Sequence, residues 1–415
     1  MVNQAKPAQN EKKLIFIGST QLIPHITYRI KMILTTCASC AVALPPLAKQ
    51  CSRCKTRYCG QACQALHWKA GHKDLCKKIK KGGGAEQYNA DKKYKEAVAV
   101  AVEACVDDTK GQTCYICTEA VHWKTKEGLV RGCACRGTAG VAHVSCLAEQ
   151  AKILVAEGEE NNLIGTERFN ARWARWYVCG LCDKDYHGVV RCALGWACWK
   201  AYVGRPEANT VRRISMTQLG NGLYSAGHHV DALPVREAEL SMERRVGAPE
   251  ETILAVQNNL ANTYQEQGRL EQAIGIKREI YSGYLKLHGE ENRITILSAY
   301  NYANSLACLE RFEEAKSLLR NTIPVARRVL GEDDEVTLTI RGDYATALSF
   351  ATGATLGDLR KSAETLQETD QTARRVLGPA HPRSVRIRDI LRTVKEFLAA
   401  RVADDSSSED AIAAP

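Results

Sequence analysis

The chain has 415 residues, of which 45% are hydrophobic and 25% charged, and its formal net charge is +10 at pH 7. This length is enough for two or three folded domains, and the composition excludes a chain that is disordered throughout. The positive charge is concentrated in residues 1–90, where 15 Lys and Arg accompany 3 Asp and Glu. The net charge by itself therefore does not indicate a nucleic-acid-binding protein.

One apolar stretch near the N-terminus, residues 14–34, is a candidate targeting or membrane segment. A proline, a histidine and two basic residues interrupt it, and no small-residue cleavage site follows. It is too broken to span a bilayer, which takes about 20 consecutive apolar residues. We therefore expect no membrane association, a location in the cytoplasm or nucleus, and an N-terminal extension over residues 1–36.

The 18 cysteines are unevenly placed, because 14 of them lie in two windows, residues 37–76 and 114–182. A secreted disulfide protein spreads its cysteine pairs through a small loop-rich fold. Closely spaced cysteine pairs with histidines nearby, in an intracellular chain, are typical of zinc sites instead. Both windows are therefore predicted to bind zinc.

The first window offers eight potential ligands. Structural zinc takes four nitrogen or sulfur ligands in a tetrahedron, so eight ligands predict two closed sites. The last four ligands form two pairs with i, i+4 spacing, which places each pair on one helix face. His67 is a spare imidazole, because His72 lies one helical turn before Cys76 and is the better ligand. The predicted ligands are Cys37, Cys40, Cys51, Cys54, Cys59, Cys63, His72 and Cys76.

The order of these ligands, and "YCGQACQALHWKAGHKDLC" at residues 58–76, resemble the MYND-type zinc finger. The resemblance implies an interleaved arrangement. One ion would be held by Cys37, Cys40, Cys59 and Cys63, and the other by Cys51, Cys54, His72 and Cys76. MYND fingers generally dock short proline-containing peptides, so the module over residues 37–76 is expected to bind proteins. We find no strand-rich block with an Asn-His-Ser-Cys motif, which argues against a SET-domain methyltransferase.

A linker over residues 77–109 follows the first module. The glycines at 82–84 predict a flexible break, and the Ala-, Lys- and Glu-rich residues 85–108 predict a helix that buries Cys105. The basic run Lys77–Lys81 is typical of a solvated helix end, and it is the one feature that supports a nucleic-acid-binding regulator.

The second module, residues 110–188, again has eight potential ligands: Cys114, Cys117, Cys133, Cys135, His143, Cys146, Cys179 and Cys182. The C-x-C pair and the C-x7-H-x2-C spacing resemble the RING-CH (variant RING) domain. That resemblance implies a cross-brace. One zinc would bind Cys114, Cys117, His143 and Cys146, and the other Cys133, Cys135, Cys179 and Cys182. Four Zn²⁺ ions are thus expected in the whole chain.

The same resemblance implies a contact with a ubiquitin-conjugating enzyme. Ile116, inside the first Cys-x-x-Cys turn, occupies the position where RING domains contact that enzyme, and Lys184 is the charged residue that could contact ubiquitin. The spacer from Cys146 to Cys179 is longer than is usual in RING-CH domains, and it lacks the Trp that these domains have soon after the residue corresponding to Cys146. An insertion around "EGEENN" explains its length and leaves Trp173 or Trp176 to pack the core.

The last predicted domain covers residues 189–401, and a period of 42 appears in it past residue 205. Gly247, Gly289 and Gly331 are spaced by 42 residues, and Gly378 follows after 47. "NLAN", "NYAN" and "DYAT" recur within these units. Each unit reads as two helices joined by a short turn, and such hairpins must stack to bury their apolar faces. The pattern resembles tetratricopeptide repeats (TPRs) of the kinesin-light-chain type, followed by an acidic, Ser-rich disordered tail over residues 402–415.

Within this solenoid, an N-x-x-N pattern places two asparagines on one helix face of adjacent units. Their amides would line a concave groove and bind the backbone of an extended peptide, whereas the alternative is a solvated polar face. The predicted peptide-binding residues are Asn259, Asn262, Asn301 and Asn304.

The predicted fold is therefore mainly α, with two small double-zinc cross-brace modules followed by an all-α TPR solenoid. The predicted function is that of a ubiquitin ligase whose MYND and TPR surfaces recruit protein partners. A RING supplies no nucleophile and acts by orienting the conjugating enzyme, so we expect no catalytic side chain. A non-enzymatic zinc-finger and TPR scaffold is the alternative.

Overall fold

The computed structural model describes residues 37–40, 42, 44, 48–379 and 381–412. The predicted N-terminal extension, residues 1–36, lies outside this range. The described chain is mainly helical, as predicted, with zinc-binding modules followed by a helical solenoid. None of the described helices is long and apolar enough to cross a membrane.

The first module has one small hairpin and two helices. Strands β1 (Lys49–Gln50) and β2 (Arg57–Tyr58) pair antiparallel. Helix α1 (Gln61–His67) continues through a π-helical turn (Trp68–His72) into α2 (Lys73–Lys81). Gly71 in that turn has φ 111°, a left-handed conformation that favours glycine, and no atom lies within 4 Å of the position a Cβ would take. Glycine is thus needed there for backbone geometry and not for space.

The linker forms α3 (Ala85–Ala104) and the short α4 (Val106–Thr109). The second module contributes α5 (Val144–Glu160), α6 (Glu167–Trp173) and a 3₁₀ turn (Ala174–Trp176). The long spacer before Cys179 is therefore folded, and both of its tryptophans, Trp173 and Trp176, are buried. "EGEENN" forms the end of α5 and the turn after it.

Ten helices follow in antiparallel order: α7 (Gly188–Tyr202), α8 (Thr210–Ser225), α9 (His229–Arg245), α10 (Glu250–Glu266), α11 (Leu270–His288), α12 (Arg293–Cys308), α13 (Phe312–Leu330), α14 (Glu335–Phe350), α15 (Leu356–Val376) and α16 (Pro382–Ile412). Each packs mainly on its neighbours in sequence. Gly247, Gly289, Gly331 and Gly378 all have positive φ. The periodic glycines thus provide the left-handed turns that separate the hairpins.

The backbone of α16 is helical to Ile412, beyond residue 402, where the sequence suggested that the disordered tail begins. No Gly or Pro occurs between Arg383 and Ala414. Since these are the residues that end helices, the sequence contains no stop signal at residue 402.

Helix α7 joins the zinc-binding part of the chain to the solenoid. Its residues 192–199 are all buried, and its tryptophans Trp196 and Trp199 are each 2% exposed. It packs on α3, α5 and α8. One apolar core consequently runs from Ala90 in α3 to Met242 in α9 and includes ligands of both RING-CH zinc sites. The boundary at residue 188 separates sequence motifs, but it does not separate two cores.

Candidate metal centres

The sixteen predicted ligands gather into four groups of four, and within each group all ligand atoms lie within 4.8 Å of one another. The groups have the interleaved composition given above. Zinc with bonds of about 2.3 Å to tetrahedral sulfurs requires sulfurs about 3.8 Å apart. The sulfurs of Cys51 and Cys76 are 3.7 Å apart, and those of Cys135 and Cys179 are 3.8 Å apart. These donor sets fit structural Zn²⁺, and the chain has four zinc sites.

In the MYND finger, the two sites differ in exposure. The ligands of the second site, which includes His72, are all buried, and the Cys54 sulfur lies 3.3 Å from His72 Nε2. The first site is open to solvent at Cys40 and Cys59. Apart from ligands, the buried cluster of this module contains Tyr58, Ile79 and Ala85. Because so little apolar surface is buried, the metal must supply most of the folding energy.

His67, the spare imidazole, supports a ligand. Its Nδ1 lies 3.0 Å from the hydroxyl of the buried Tyr58, and its ring stacks on that of His72 with 4.8 Å between centroids. His67 thus packs on the ring of a ligand and belongs to neither ligand group itself.

Three Cys-x-x-Cys turns share one backbone geometry. In each, the residue after the second cysteine has positive φ: Lys55 at 64°, Thr118 at 63° and Asp183 at 50°. The amide of that residue donates to the carbonyl of the first cysteine, at 2.8–3.1 Å. A left-handed conformation is unfavourable for Lys and Thr, whereas Asp tolerates it better. The sequence shows the cysteine spacing but not this strain, which metal binding can offset.

Two of these turns, Cys114–Cys117 and Cys179–Cys182, are the RING-CH knuckles, and each exposes an apolar side chain to solvent. The amide of Ile116 lies 3.4 Å from the Cys114 sulfur, and that of Leu181 lies 3.4 Å from the Cys179 sulfur. Ile116 is 37% exposed and Leu181 53% exposed. The sequence analysis singled out Ile116 and missed Leu181, although both occupy the third position of a Cys-x-x-Cys turn.

Lys184 belongs to the second knuckle through its backbone. Its carbonyl accepts from the Cys179 amide at 2.9 Å, and its own amide is the main cause that lowers the pKa of the Cys182 thiol to about 7. The Lys184 side chain is exposed. A second cation, Arg175, lies beside this knuckle with Nη2 3.5 Å from Asp183 Oδ1.

Gly140 is a further residue that the sequence analysis missed. It has φ +75°, and a Cβ there would lie 2.9 Å from the Cys133 sulfur and 2.6 Å from Cys135 Cβ. Glycine is thus the residue that lets the loop fold over the C-x-C pair. An unusual φ together with a close approach to two ligands cannot be read from ligand spacing.

The predicted groove asparagines Asn259, Asn262, Asn301 and Asn304 are all half-buried. Their side chains form no hydrogen bond with the described residues. Two residues at related positions in neighbouring repeats behave differently. Asn221 Oδ1 accepts from the buried Arg236, and Asp343 Oδ1 accepts from Arg386 at 3.0 Å. Among these related positions, the side-chain amides without a partner among the described residues are those of the two central repeats.

Family models match three parts of the chain: a MYND finger at residues 37–76, a RING-variant domain at 114–161, and tetratricopeptide repeats at 253–293 and 295–335. This chain combines a MYND finger, a RING-variant domain and TPR repeats. The RING-variant match ends before Cys179 and Cys182, and the geometry adds this last ligand pair to the domain.

The curated relatives resemble only the MYND region. Ubiquitin carboxyl-terminal hydrolase 17 of Arabidopsis thaliana is 38% identical over 78 residues, 18% of this chain and 10% of that protein. Ubiquitin C-terminal hydrolase 15 of Oryza sativa subsp. japonica is 50% identical over 38 residues, 9% of this chain and 4% of that protein. The chain thus spans a tenth or less of the length of these relatives. The name hydrolase describes those proteins.

Among solved structures, the chain is similar to putative kinesin light chain TPR-like repeats from Podosopora anserina, with 16% identity and a TM-score of 0.38 over 56% of this chain and 97% of that one. It is also similar to BtubC (BKLC) from P. vanneervenii, with 12% identity and a TM-score of 0.32 over 62% of this chain and 92% of that one.

Proposed function

We propose that this protein is a zinc-dependent ubiquitin ligase, in which the RING-variant domain binds a charged conjugating enzyme and the MYND and TPR surfaces recruit substrates. The observation that carries the proposal is the pair of rigid knuckles that present Ile116 and Leu181 to solvent. Both side chains stand on backbone held by hydrogen bonds to ligand cysteines. A backbone that is already ordered loses little entropy when its side chain enters a partner's pocket.

The domain holds its zinc ions in closed four-ligand sites, so the ions have a structural role. No side chain of the domain is assigned a role as nucleophile. Ligase activity would arise because the domain orients a thioester-linked conjugating enzyme for attack by a substrate lysine. Lys184, exposed beside the second knuckle, is the proposed contact to ubiquitin, and Arg175 is a second cation at the same place.

Transfer of ubiquitin by the full, zinc-loaded chain tests this proposal. Ile116→Ala should abolish transfer without loss of zinc, because it removes a contact and not a ligand. Ile164→Ala is a matched control, since Ile164 is 44% exposed but belongs to the spacer between Cys146 and Cys179 and to neither knuckle. If the wild type is inactive with every conjugating enzyme that supports other RING ligases, the non-enzymatic scaffold is the correct function.

Peptide recruitment by the solenoid is the second part of the proposal. Asn259, Asn262, Asn301 and Asn304 offer amide groups that are half-buried and without an internal partner. Partly desolvated amides gain more from a new hydrogen bond than fully hydrated ones. We infer that they bind the backbone of an extended segment, which fits the regular spacing of two amides per repeat.

A further inference from the structure

A turn of the RING-variant domain that contains no zinc ligand, His122–Thr125, has the backbone geometry of the Cys-x-x-Cys knuckles. The residue after it, Lys126, has φ 59°, and its amide donates to the His122 carbonyl at 2.9 Å. The His122 amide donates to the carbonyl of Glu127, five positions on, at 3.0 Å, and the Cys114 amide makes the corresponding bond in the first knuckle at 3.0 Å. This segment is called the His-Thr turn below.

A hydrogen bond joins the two ends of the His-Thr turn, at the place where a zinc ion would join the ends of a knuckle. The Thr125 amide donates to Nδ1 of His122 at 3.1 Å, and the Thr125 hydroxyl oxygen lies 2.9 Å from the same nitrogen. Neither residue belongs to any of the four ligand groups. The backbone of this turn is therefore ordered by its own hydrogen bonds.

Two contacts fix the His-Thr turn on the zinc site that includes His143. The ring of His122 packs edge-on against the ring of His143, with 5.2 Å between their centroids. Just after the turn, Glu127 Oε1 accepts from the Ser145 amide at 2.7 Å, in the first turn of α5. The knuckle that presents Ile116 supplies ligands to this same zinc site. Both turns thus rest on one metal centre.

The His-Thr turn exposes a tryptophan to solvent. Trp123 is 67% exposed, and Val121, just before the turn, is 54% exposed. With Ile116, three exposed apolar side chains lie within residues 116–123. Tryptophan is largely buried in most folded proteins, and it is enriched among the residues that contribute most to protein–protein binding. An exposed tryptophan on an ordered turn is therefore expected to contact a partner.

We propose that Trp123, together with Val121, extends the surface that binds the conjugating enzyme beyond the two knuckles. This inference rests on the proposed function, in which Ile116 marks where that enzyme docks. The partner is the same enzyme because the His-Thr turn and the Ile116 knuckle rest on one zinc site. Trp123 thereby selects among conjugating enzymes: one with an apolar surface facing the indole ring gains affinity, and one with a charged surface there does not.

Calorimetric titration of the full, zinc-loaded chain tests this proposal, with each conjugating enzyme that supports other RING ligases and without ubiquitin. Trp123→Ala should weaken binding about tenfold, whereas Trp123→Phe keeps an aromatic ring and should weaken it about threefold or less. Ile153→Ala is the matched control, since Ile153 is 53% exposed on α5 and belongs to neither turn. It should leave the Kd within about twofold of the wild type. All three variants should keep four zinc ions, because neither position holds a ligand.

Fluorine NMR of the chain labelled with 5-fluorotryptophan shows whether the contact is direct. The Trp123 resonance, identified by its absence from the spectrum of Trp123→Phe, should shift when unlabelled conjugating enzyme is added. Trp68, which is 36% exposed and lies on the MYND finger, should keep its resonance. A residue that only stabilised the fold would not show this selective shift.

The outcomes separate this proposal from the proposed function. If no conjugating enzyme binds the wild type, both are overturned. If Ile116→Ala abolishes binding, but Trp123→Ala keeps the wild-type affinity and the Trp123 resonance does not shift, the proposal for Trp123 alone is overturned. A Trp123 resonance that shifts with protein concentration, without conjugating enzyme, would assign the residue to a contact between two copies of the chain and would also overturn it.

Discussion

Gly195 of α7 and Gly222 of α8 face each other where these helices cross. A Cβ on Gly222 would lie 2.7 Å from the Arg191 carbonyl oxygen, and one on Gly195 would lie 2.9 Å from the Gln218 carbonyl oxygen. Both clashes are with backbone, which cannot rotate away. The two glycines thus allow the helix that joins the zinc-binding part of the chain to pack closely on the first helix of the solenoid.

Substitution at this crossing should destabilise the protein. Gly222→Ala should lower the free energy of unfolding by about 1–3 kcal/mol, because α7 and α8 must separate. Gly275→Ala is the control, since Gly275 lies in α11 with no atom within 4 Å of its Cβ position. That change should instead stabilise by about 0.5–1 kcal/mol through helix propensity. Urea unfolding of both variants measures the difference, and equal effects would contradict the packing described here.

Zinc content should follow the grouping of the ligands. Elemental analysis should find four ions in the wild type, one for each four-ligand site. Cys54→Ser should leave about two, because the MYND finger has few other buried residues and unfolds without its metal. The solenoid should stay helical by circular dichroism. Two or fewer ions in the folded wild type would exclude the double cross-brace.

The asparagines should divide into two classes. Asn221→Ala should lower stability by about 1–3 kcal/mol, because it removes the acceptor of Nη2 in the Arg236 guanidinium, which is 2% exposed, and leaves that buried donor unpaired. The double change Asn259→Ala and Asn301→Ala should barely affect stability but should weaken peptide binding. Thermal unfolding and peptide titration separate the two effects. A strong loss of stability in the double variant would show that these amides are internal links.

Lys277 should make stability depend on pH. Its ammonium is 3% exposed and donates to Gln265 Oε1 at 2.6 Å, and burial lowers its pKa to about 8. The unfolded value is about 10.4. Between these values the unfolded chain binds one more proton than the folded chain, so stability rises with pH across this window. Below pH 8 both states are protonated and the contribution is constant.

The comparison with Lys277→Met isolates this group. Between pH 8 and 10, the free energy of unfolding of the wild type should rise relative to that of the variant by about 2–3 kcal/mol. Chemical unfolding at several pH values measures this difference. Parallel curves for the two proteins would mean that Lys277 keeps an ordinary pKa.

The features that the sequence predicted correctly are those set by local spacing. Cysteines two to four residues apart can bind one ion through a single turn of the chain, and the glycines repeated every 42 residues mark the turns of stacked hairpins. The family models then confirmed the MYND, RING-variant and TPR modules. Each of these features is determined by the spacing of residues within a short segment or by the length of the repeat.

Features that depend on neighbours distant in sequence could not be predicted. Helix α7 reads as a generic apolar helix, and its role becomes visible only when α3, α5 and α8 surround it. Asn221 and Asn262 occupy related positions, but only Asn221 meets a buried arginine. One polar cavity is lined by residues as far apart as Gln50 and Arg245, and no motif connects them.

The central claim is that the exposed residue of the first knuckle recruits a conjugating enzyme. The most direct test is ubiquitin transfer by the full, zinc-loaded chain, with wild type, Ile116→Ala and Ile164→Ala compared at equal zinc content. We predict chains of ubiquitin with the wild type and Ile164→Ala, and none with Ile116→Ala. Equal activity of Ile116→Ala and the wild type would contradict the claim.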